Sequence, residues 1–214
     1  DAIGFIESTK SKKFKIGQEV IVSGYDLGMN TPGGFGEYIR VPRSWACHLP
    51  KNLTAIESMA IGTAGLTAGL CIKKLKKLNG INGKNAVVTG ATGGVGSFAI
   101  KLLKLLGAKV TAITSKLNEE DFLKMIGVDD IIFKKDFITS VRKPMAKGIW
   151  DIAIDTVGGD ILSNLIPSMK YGGVITCCGN VAGPSFNATV YPFILRANHL
   201  VGIDSAQTPI SIKS

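Results

Sequence analysis

The sequence has little histidine and little cysteine, and its charged residues are unbalanced. Among 214 residues there are two histidines and four cysteines, and the cysteines lack the spacing of a disulfide framework: Cys47, Cys71, Cys177 and Cys178. Reduced thiols are therefore expected, which favours a cytoplasmic protein. The longest uncharged run, 171–195, contains two prolines and four glycines, which a lipid-exposed helix does not tolerate. We therefore expect no membrane span there.

Acidic residues are fewer than basic ones, 16 against 25, so the formal net charge is +9. An excess of positive charge attracts anionic partners without specifying their class. The sequence shows no zinc finger, no helix-turn-helix pattern and no RNP-like aromatic strand, so a nucleic-acid partner is not expected. It also shows no Ser-His-Asp set and no metal cluster. A phosphorylated small molecule remains a suitable anionic ligand.

The hydrophobic pattern predicts an α/β fold. Residues 17–22 and 31–41 are typical of short antiparallel strands and loops, and a Thr54/Glu57 capping box precedes a helical stretch that runs to Leu78. From Asn85 onward, strands alternate with helices. The predicted strands are 86–89, 109–114, 131–133, 151–155 and 173–178, and the predicted helices are 95–106, 119–126 and 160–169. This alternation indicates a doubly wound parallel sheet with helices on both faces.

A glycine-rich turn connects the first of these strands to its helix. Residues 87–96 read Val-Val-Thr-Gly-Ala-Thr-Gly-Gly-Val-Gly. A pyrophosphate needs backbone N–H groups at a helix N-terminus and a close approach that a Cβ would block. Ala91 occupies the first glycine position of the G-x-G-x-x-G pattern, so the match to the pattern is incomplete. The prediction of phosphate binding therefore depends mainly on the strand–turn–helix–strand context of the turn. The predicted phosphate-binding residues are Thr92, Gly93, Gly94 and Val95, with Gly96 packing the helix on the strand.

The residues after the next strand predict which dinucleotide is bound. A carboxylate at this position accepts a hydrogen bond from the ribose 2′-hydroxyl of NAD and repels a 2′-phosphate. Here the chain has Thr114, Ser115 and Lys116, and Lys134 follows the third strand. Hydroxyl and ammonium groups suit a phosphate, so NADPH is the predicted cofactor. The alternative is that Lys116 only begins a polar loop.

The same turn also fits the T-G-x-x-x-G-x-G pattern of short-chain dehydrogenases. That family uses a Tyr-x-x-x-Lys pair for proton transfer, and no tyrosine of this sequence has a lysine four residues later. About 85 residues also precede the turn. A short-chain dehydrogenase is therefore disfavoured.

Several strings outside the turn resemble one family. They are Gly-Gln-Glu-Val at 17–20, Gly-Gly-Phe-Gly-Glu-Tyr at 33–38, Ile-Gly-Thr-Ala-Gly-Leu-Thr-Ala at 61–68, Ile-Asp-Thr-Val-Gly-Gly at 154–159, Tyr-Pro-Phe-Ile-Leu-Arg at 191–196 and Gly-Ile-Asp-Ser at 202–205. Together with the glycine turn, they resemble the medium-chain dehydrogenase/reductases. Within that family the resemblance is to the zinc-independent quinone oxidoreductase branch and its acrylyl-CoA reductase (AcuI/YhdH-like) group.

The resemblance implies a fold, a cofactor and a reaction. It implies a partial GroES-like catalytic domain at 1–60 and a Rossmann NADP-binding domain at 61–214, in a sequence that is a fragment of a longer protein. The reaction implied is NADPH-dependent hydride transfer to the β-carbon of an α,β-unsaturated carbonyl: acrylyl-CoA, an enone or a quinone. No catalytic residue is assigned. No metal is expected, because Thr63 stands where zinc-dependent relatives have a cysteine ligand.

The resemblance also assigns residues to the nicotinamide end of the cofactor. Thr67 lies against the ring, Asn180 approaches the ribose or carboxamide, and Ile194 and Ser205 line that end of the site. Arg196 binds either an acyl-CoA or backbone carbonyls, and the sequence does not distinguish between these two roles. The family also implies a homodimer through the edge strand at 199–205. The alternative function is an NADPH-binding module without turnover, with a nucleic-acid or sensing role.

Overall fold

The computed structural model describes residues 1–140 and 144–213. The chain divides into two compact units, one formed by Asp1–Leu66 with Asp204–Ser214 and the other by Thr67–Ile203. The first unit contains a three-stranded antiparallel sheet in the order β1-β2-β3, with β1 at Ala2–Phe5, β2 at Glu19–Val22 and β3 at Ala46–His48. Its buried hydrophobic cluster consists of Phe14, Val20, Val22 and Ala46.

Two features of the first unit differ from the sequence prediction. Residues 31–41 form no strand, only an isolated bridge at Thr31, and they include Pro32 and three glycines, which weaken strand pairing. The C-terminal segment, with helix α7 at Ile210–Lys213, belongs to this unit. The N–H of Tyr25 donates to Ala206 O at 3.0 Å, and Lys213 Nζ donates to Ser23 O at 3.0 Å.

Helix α1 spans Ala55–Leu78. The predicted capping box is present, because Thr54 N and Oγ1 both donate to the Glu57 carboxylate while Glu57 N donates to Thr54 Oγ1. Gly62 has φ 47° and interrupts the helix. The two units divide between Leu66 and Thr67, six residues after the predicted boundary at residue 60, and α1 runs across both positions.

By length and composition alone, α1 is the one helix of the described ranges that could cross a membrane. Its last turns carry four lysines, and Ala68, Cys71 and Leu75 are fully buried in the core of the second unit. The break at Gly62 also divides its apolar stretch. These features are those of a helix that packs on a protein core.

The second unit is built on a six-stranded parallel sheet in the order β6-β5-β4-β7-β8-β9. Its strands are β4 Asn85–Thr89, β5 Lys109–Thr114, β6 Asp130–Phe133, β7 Trp150–Asp155, β8 Met169–Cys177 and β9 His199–Gly202. Its further helices are α2 Gly94–Leu105, α3 Glu120–Met125, α4 Lys134–Ser140, α5 Gly159–Leu165 and α6 Tyr191–Arg196. Numbered within this sheet, the order is 3-2-1-4-5-6, the doubly wound arrangement that the sequence predicts.

Helices cover both faces of this sheet. Side chains from α1, α2 and α3 pack with Ala86 and Val88 on one face. Side chains from α4 and α5 pack with Val87 on the other. Successive residues of β4 therefore point into different cores, which explains why its middle residues, 86–88, are all apolar.

Candidate functional site

The glycine turn lies at the carboxyl end of β4, where the strand order reverses. Gly93 N donates to Gly90 O at 2.9 Å, which closes the turn, and α2 begins at Gly94. A Cβ on Gly96 would collide with Gly90 O and would lie 2.9 Å from Ala91 Cα. The first turn of α2 therefore lies directly against the backbone that leads out of β4, and only glycine permits this approach.

The N-terminus of α2 is open to a ligand. No side chain caps it, and its first turn contains no acidic residue. The first hydrogen bond of the helix runs from Ser97 N to Gly93 O, so the N–H groups of Gly94, Val95 and Gly96 have no acceptor within the helix. Gly93 and Gly94 are exposed. Unpaired N–H groups and the positive end of the helix dipole suit a phosphate at this place.

A buried carboxylate lies beside the glycine turn and holds the strand end that leads into it. The sequence motifs did not predict this role. Asp155, at the end of β7, is fully buried and accepts hydrogen bonds from Thr89 Oγ1 at 2.6 Å and Gly158 N at 3.0 Å. Thr156 N donates to Thr89 Oγ1, and Thr156 Oγ1 donates to Thr89 O. The ends of β4 and β7 are thus joined by side chains as well as by strand pairing. The available signal was an aspartate directly after three apolar residues, 152–154, at the end of a strand.

The predicted 2′-phosphate residues lie at the carboxyl ends of β5 and β6. Thr114 is buried, and its hydroxyl accepts a hydrogen bond from Lys116 N at 3.1 Å, so it shapes the turn. Ser115 and Lys116 are exposed. Thr114 pairs with Phe133, the last residue of β6. Lys134 follows directly after Phe133 and is half-buried. The charged and hydroxyl side chains free to face a ligand are therefore those of Ser115, Lys116 and Lys134.

The residues predicted for the nicotinamide end lie on separate elements of the structure. Thr67 is buried on α1. Asn180 is exposed shortly after β8, and its backbone carbonyl accepts a hydrogen bond from Gly183 N. Ile194 lies on α6 and is 67% exposed. Ser205 belongs to the first unit. Asn180 shares its sheet edge with the glycine turn, since the carboxyl ends of parallel strands lie together.

Arg196 binds backbone, which decides between its two predicted roles. One guanidinium nitrogen donates to Pro167 O at 2.9 Å and Met169 O at 2.8 Å, and another donates to Ala146 O at 2.6 Å. Three carbonyls thus occupy the planar donor fork. The side chain connects the end of α6 to the start of β8.

The first unit contains a polar cluster at the position where the sequence pointed to an absent zinc ligand. Thr63 Oγ1 donates to the Asp1 carboxylate at 2.9 Å, Thr63 N donates to it at 3.1 Å, and Ser23 Oγ donates to it at 2.8 Å. Within the described part of the chain, no three His, Cys, Asp or Glu side chains come together as metal ligands. Hydroxyl and carboxylate groups separated by 22 and 62 residues meet here, which no sequence motif indicated.

Comparison with known proteins identifies the family. A family model described as zinc-binding dehydrogenase matches residues 94–211. The chain belongs to the medium-chain dehydrogenase/reductase family. The resemblance stated from the sequence motifs is thereby confirmed. The matched residues begin at Gly94, at the start of α2, and include five of the six strands of the parallel sheet, so the dehydrogenase/reductase likeness lies mainly in the second unit.

Two curated relatives of this medium-chain dehydrogenase/reductase extend along nearly the whole chain. The putative quinone oxidoreductase YhfP of Bacillus subtilis (strain 168) is 40% identical over 215 residues, which is all of this chain and 65% of YhfP. The probable acrylyl-CoA reductase AcuI of Escherichia coli (strain K12) is 39% identical over 210 residues, 98% of this chain and 64% of AcuI. The chain thus spans about two thirds of the length of these relatives.

Solved structures of family members have the same fold. The YhdH oxidoreductase from Salmonella enterica, in complex with NADP, superposes with a TM-score of 0.94 at 39% identity, over 99% of this chain and 65% of that chain. B. subtilis YhfP with NAD bound superposes with a TM-score of 0.93 at 39% identity, over 99% of this chain and 64% of that one. Both dinucleotides therefore occur among the relatives.

Proposed function

We propose that this medium-chain dehydrogenase/reductase binds NADPH along the carboxyl edge of the parallel sheet and that the full protein is an NADPH-dependent oxidoreductase. The observation that carries the proposal is the uncapped N-terminus of α2, held against the Gly90 carbonyl by Gly96. This is the place in an open α/β sheet where dinucleotide pyrophosphates bind. The buried Asp155 supports it by joining Thr89, the residue directly before the turn, to the segment that follows β7.

The residues present fit a dinucleotide laid across the sheet edge. The backbone of Thr92, Gly93, Gly94 and Val95 would hold the pyrophosphate. Ser115, Lys116 and Lys134 would hold the adenosine ribose phosphate, with Thr114 setting the turn. Thr67, Asn180, Ile194 and Ser205 are assigned to the nicotinamide end by resemblance. The adenosine and nicotinamide groups then extend to opposite sides of the reversal in strand order.

The choice of NADPH over NADH depends on the charge after β5. No carboxylate stands between Thr114 and Leu117, and Lys116 is exposed there. A 2′-phosphate gains an ammonium partner at this turn, whereas a 2′-hydroxyl finds no carboxylate acceptor among these residues. The NADP complex of Salmonella YhdH supports this assignment, and the NAD complex of YhfP makes the comparison of both cofactors necessary.

The reaction proposed is reduction of a carbon–carbon double bond conjugated to a carbonyl. NADPH, when bound, supplies a hydride to the β-carbon of the substrate. The task of the chain would be orientation: the turn and the start of α2 would hold the phosphates, and Asp155 holds Thr89 directly before the turn. The relatives point to two substrate classes. The name of AcuI favours an enoyl-CoA such as acrylyl-CoA, and the name of YhfP favours a quinone.

Steady-state kinetics of the full-length protein test the proposal. We expect turnover with NADPH on acrylyl-CoA, on a free enone or on a small quinone, with a lower kcat/KM when NADH replaces NADPH. Turnover of quinones and of no enoyl compound would refute acrylyl-CoA as the substrate. NADPH binding without turnover of any of the three would favour the non-catalytic module.

We further propose that the full protein is a homodimer formed through β9. This strand pairs with β8 on one side only and is the edge of the six-stranded sheet. Leu200 and Val201 are half-buried, and unpaired backbone groups of an edge strand readily accept a second strand. Sedimentation of the full-length protein at micromolar concentration is expected to show a dimer. A Leu200→Pro change should shift it toward monomer, and a wild type that sediments only as monomer contradicts the proposal.

A further inference from the structure

Thr156, directly after β7, lies between two glycines at the carboxyl edge of the parallel sheet and is half-buried. On one side is Gly90, which begins the glycine turn, and a Cβ built on Gly90 would overlap Thr156 Oγ1. On the other side is Gly179, and a Cβ built there would overlap Thr156 O and lie 2.6 Å from Thr156 C. Both neighbours therefore approach Thr156 more closely than a residue with a Cβ could.

Hydrogen bonds attach Thr156 to the strand that leads into the glycine turn. Thr156 N donates to Thr89 Oγ1 at 3.0 Å, and Thr156 Oγ1 donates to Thr89 O at 2.9 Å. Thr89 is the last residue of β4 and directly precedes Gly90. The backbone and the hydroxyl of Thr156 thus both determine where the turn begins.

The segment after β8 is attached to the same stretch of chain. We call residues 178–183 the β8 loop. Its first N–H group donates to Asp155 O at 2.9 Å, and Ala182 N donates to Val157 O at 2.8 Å. The β8 loop is therefore hydrogen-bonded to the residues on both sides of Thr156, and a displacement of Thr156 has to displace the loop as well.

We propose that Thr156 is a positioning residue that holds the glycine turn and the β8 loop at a fixed spacing, so that one dinucleotide can contact both. This inference rests on the proposed function, in which the turn holds the pyrophosphate and Asn180 of the loop approaches the nicotinamide ribose or carboxamide. Thr156 acts through these two segments. Two parts of a site that are already held at the right spacing need not be ordered when the ligand binds, which increases affinity.

The hydroxyl group of Thr156 is the part of the residue that a substitution can remove selectively. Thr156→Val keeps a similar shape but loses the donor to Thr89 O, whereas Thr156→Ser keeps that donor. The matched control is Thr176→Val. Thr176 is buried on β8, and its Oγ1 donates to Ala153 O on β7 at 3.2 Å, so the control loses the same kind of hydrogen bond within the sheet.

Hydrogen exchange of the unliganded full-length protein, followed by peptide mass spectrometry, tests whether Thr156 couples the two segments. We expect Thr156→Val to raise exchange in both the glycine turn and the β8 loop by roughly fivefold, the factor that corresponds to one lost hydrogen bond. Thr156→Ser should exchange as the wild type does, and Thr176→Val should leave both segments unchanged. Faster exchange in neither segment, or in only one of them, would overturn the proposal.

Calorimetric titration tests the consequence for the cofactor. NADPH reaches both segments in the proposed site, whereas 2′,5′-ADP lacks the nicotinamide half that is assigned to the β8 loop. Thr156→Val should therefore weaken NADPH binding roughly fivefold and 2′,5′-ADP binding less than about twofold, and Thr156→Ser should restore both affinities. Equal losses for the two ligands, or the same losses in Thr176→Val, would overturn the positioning role. A wild type that does not bind NADPH would refute the proposed function instead, while the exchange rates would still decide whether Thr156 couples the two segments.

Discussion

Replacing Gly96 by alanine tests whether the glycine turn is built for close approach. The new methyl group would meet Gly90 O and lie 2.9 Å from Ala91 Cα and 3.0 Å from Gly90 C, all of them backbone atoms that cannot rotate away. Alanine gains about 1 kcal/mol over glycine in a helix, whereas overpacking costs about 1 to 3 kcal/mol. We expect a net loss of about 1 kcal/mol in the free energy of unfolding, and at least a tenfold loss in NADPH affinity, because the turn must shift.

Gly69→Ala is the matched control. Gly69 lies within α1, and a Cβ built on it meets nothing within 4 Å. The same substitution there should stabilise the protein by up to about 1 kcal/mol and leave NADPH affinity unchanged. Denaturant unfolding and fluorescence titration of both variants, in the full-length protein, supply the comparison. A Gly96→Ala variant that gains stability as Gly69→Ala does, and binds NADPH normally, would refute the reasoning.

Two further predictions concern charged groups of the second unit. Lys116→Asp should lower NADPH affinity by more than the roughly tenfold expected for losing one charged hydrogen bond, and it should raise NADH affinity. The control is Lys101→Asp, at an exposed position of α2, which should change neither affinity. Calorimetric titration of both variants measures these affinities. Burial opposes ionisation of Asp129, but hydrogen bonds from Lys104 and from Val110 N outweigh it and lower its pKa. Its contribution to stability is therefore present above about pH 4, the unfolded value, and lost below it. Thermal unfolding should show Asp129→Asn less stable than wild type at pH 7, with the difference shrinking in acid; a difference independent of pH contradicts this.

Local patterns predicted the second unit well. Strand β5 has the predicted bounds, and α2 and β4 differ from prediction by one residue at most, because glycines and a change of period mark their ends. The predicted helix 160–169 is shorter: α5 ends at Leu165 and a 3₁₀ turn follows, since Pro167 has no N–H to continue an α-helix. Helices α4 and α6 were not predicted, because their six or seven residues are too few to show a period.

Contacts between residues far apart in the chain could not be predicted from the sequence motifs. The turn itself was found because its glycines are adjacent, but its support by Asp155 joins positions 66 residues apart. The hydroxyl of Thr114 was predicted to face the phosphate, whereas it is buried, a distinction that depends on how β5 packs between its neighbours. The return of 204–213 to the first unit likewise depends on contacts that no local pattern encodes.

The side chain of Arg196 has a consequence for reading other sequences of this family. Its guanidinium already donates to the carbonyls of Ala146, Pro167 and Met169, so it is occupied before any substrate arrives. An arginine at the end of the Phe-Ile-Leu-Arg string therefore carries information about how residues 146–169 are held to α6. In this chain the string therefore indicates how α6 is attached to the sheet and does not by itself identify a substrate.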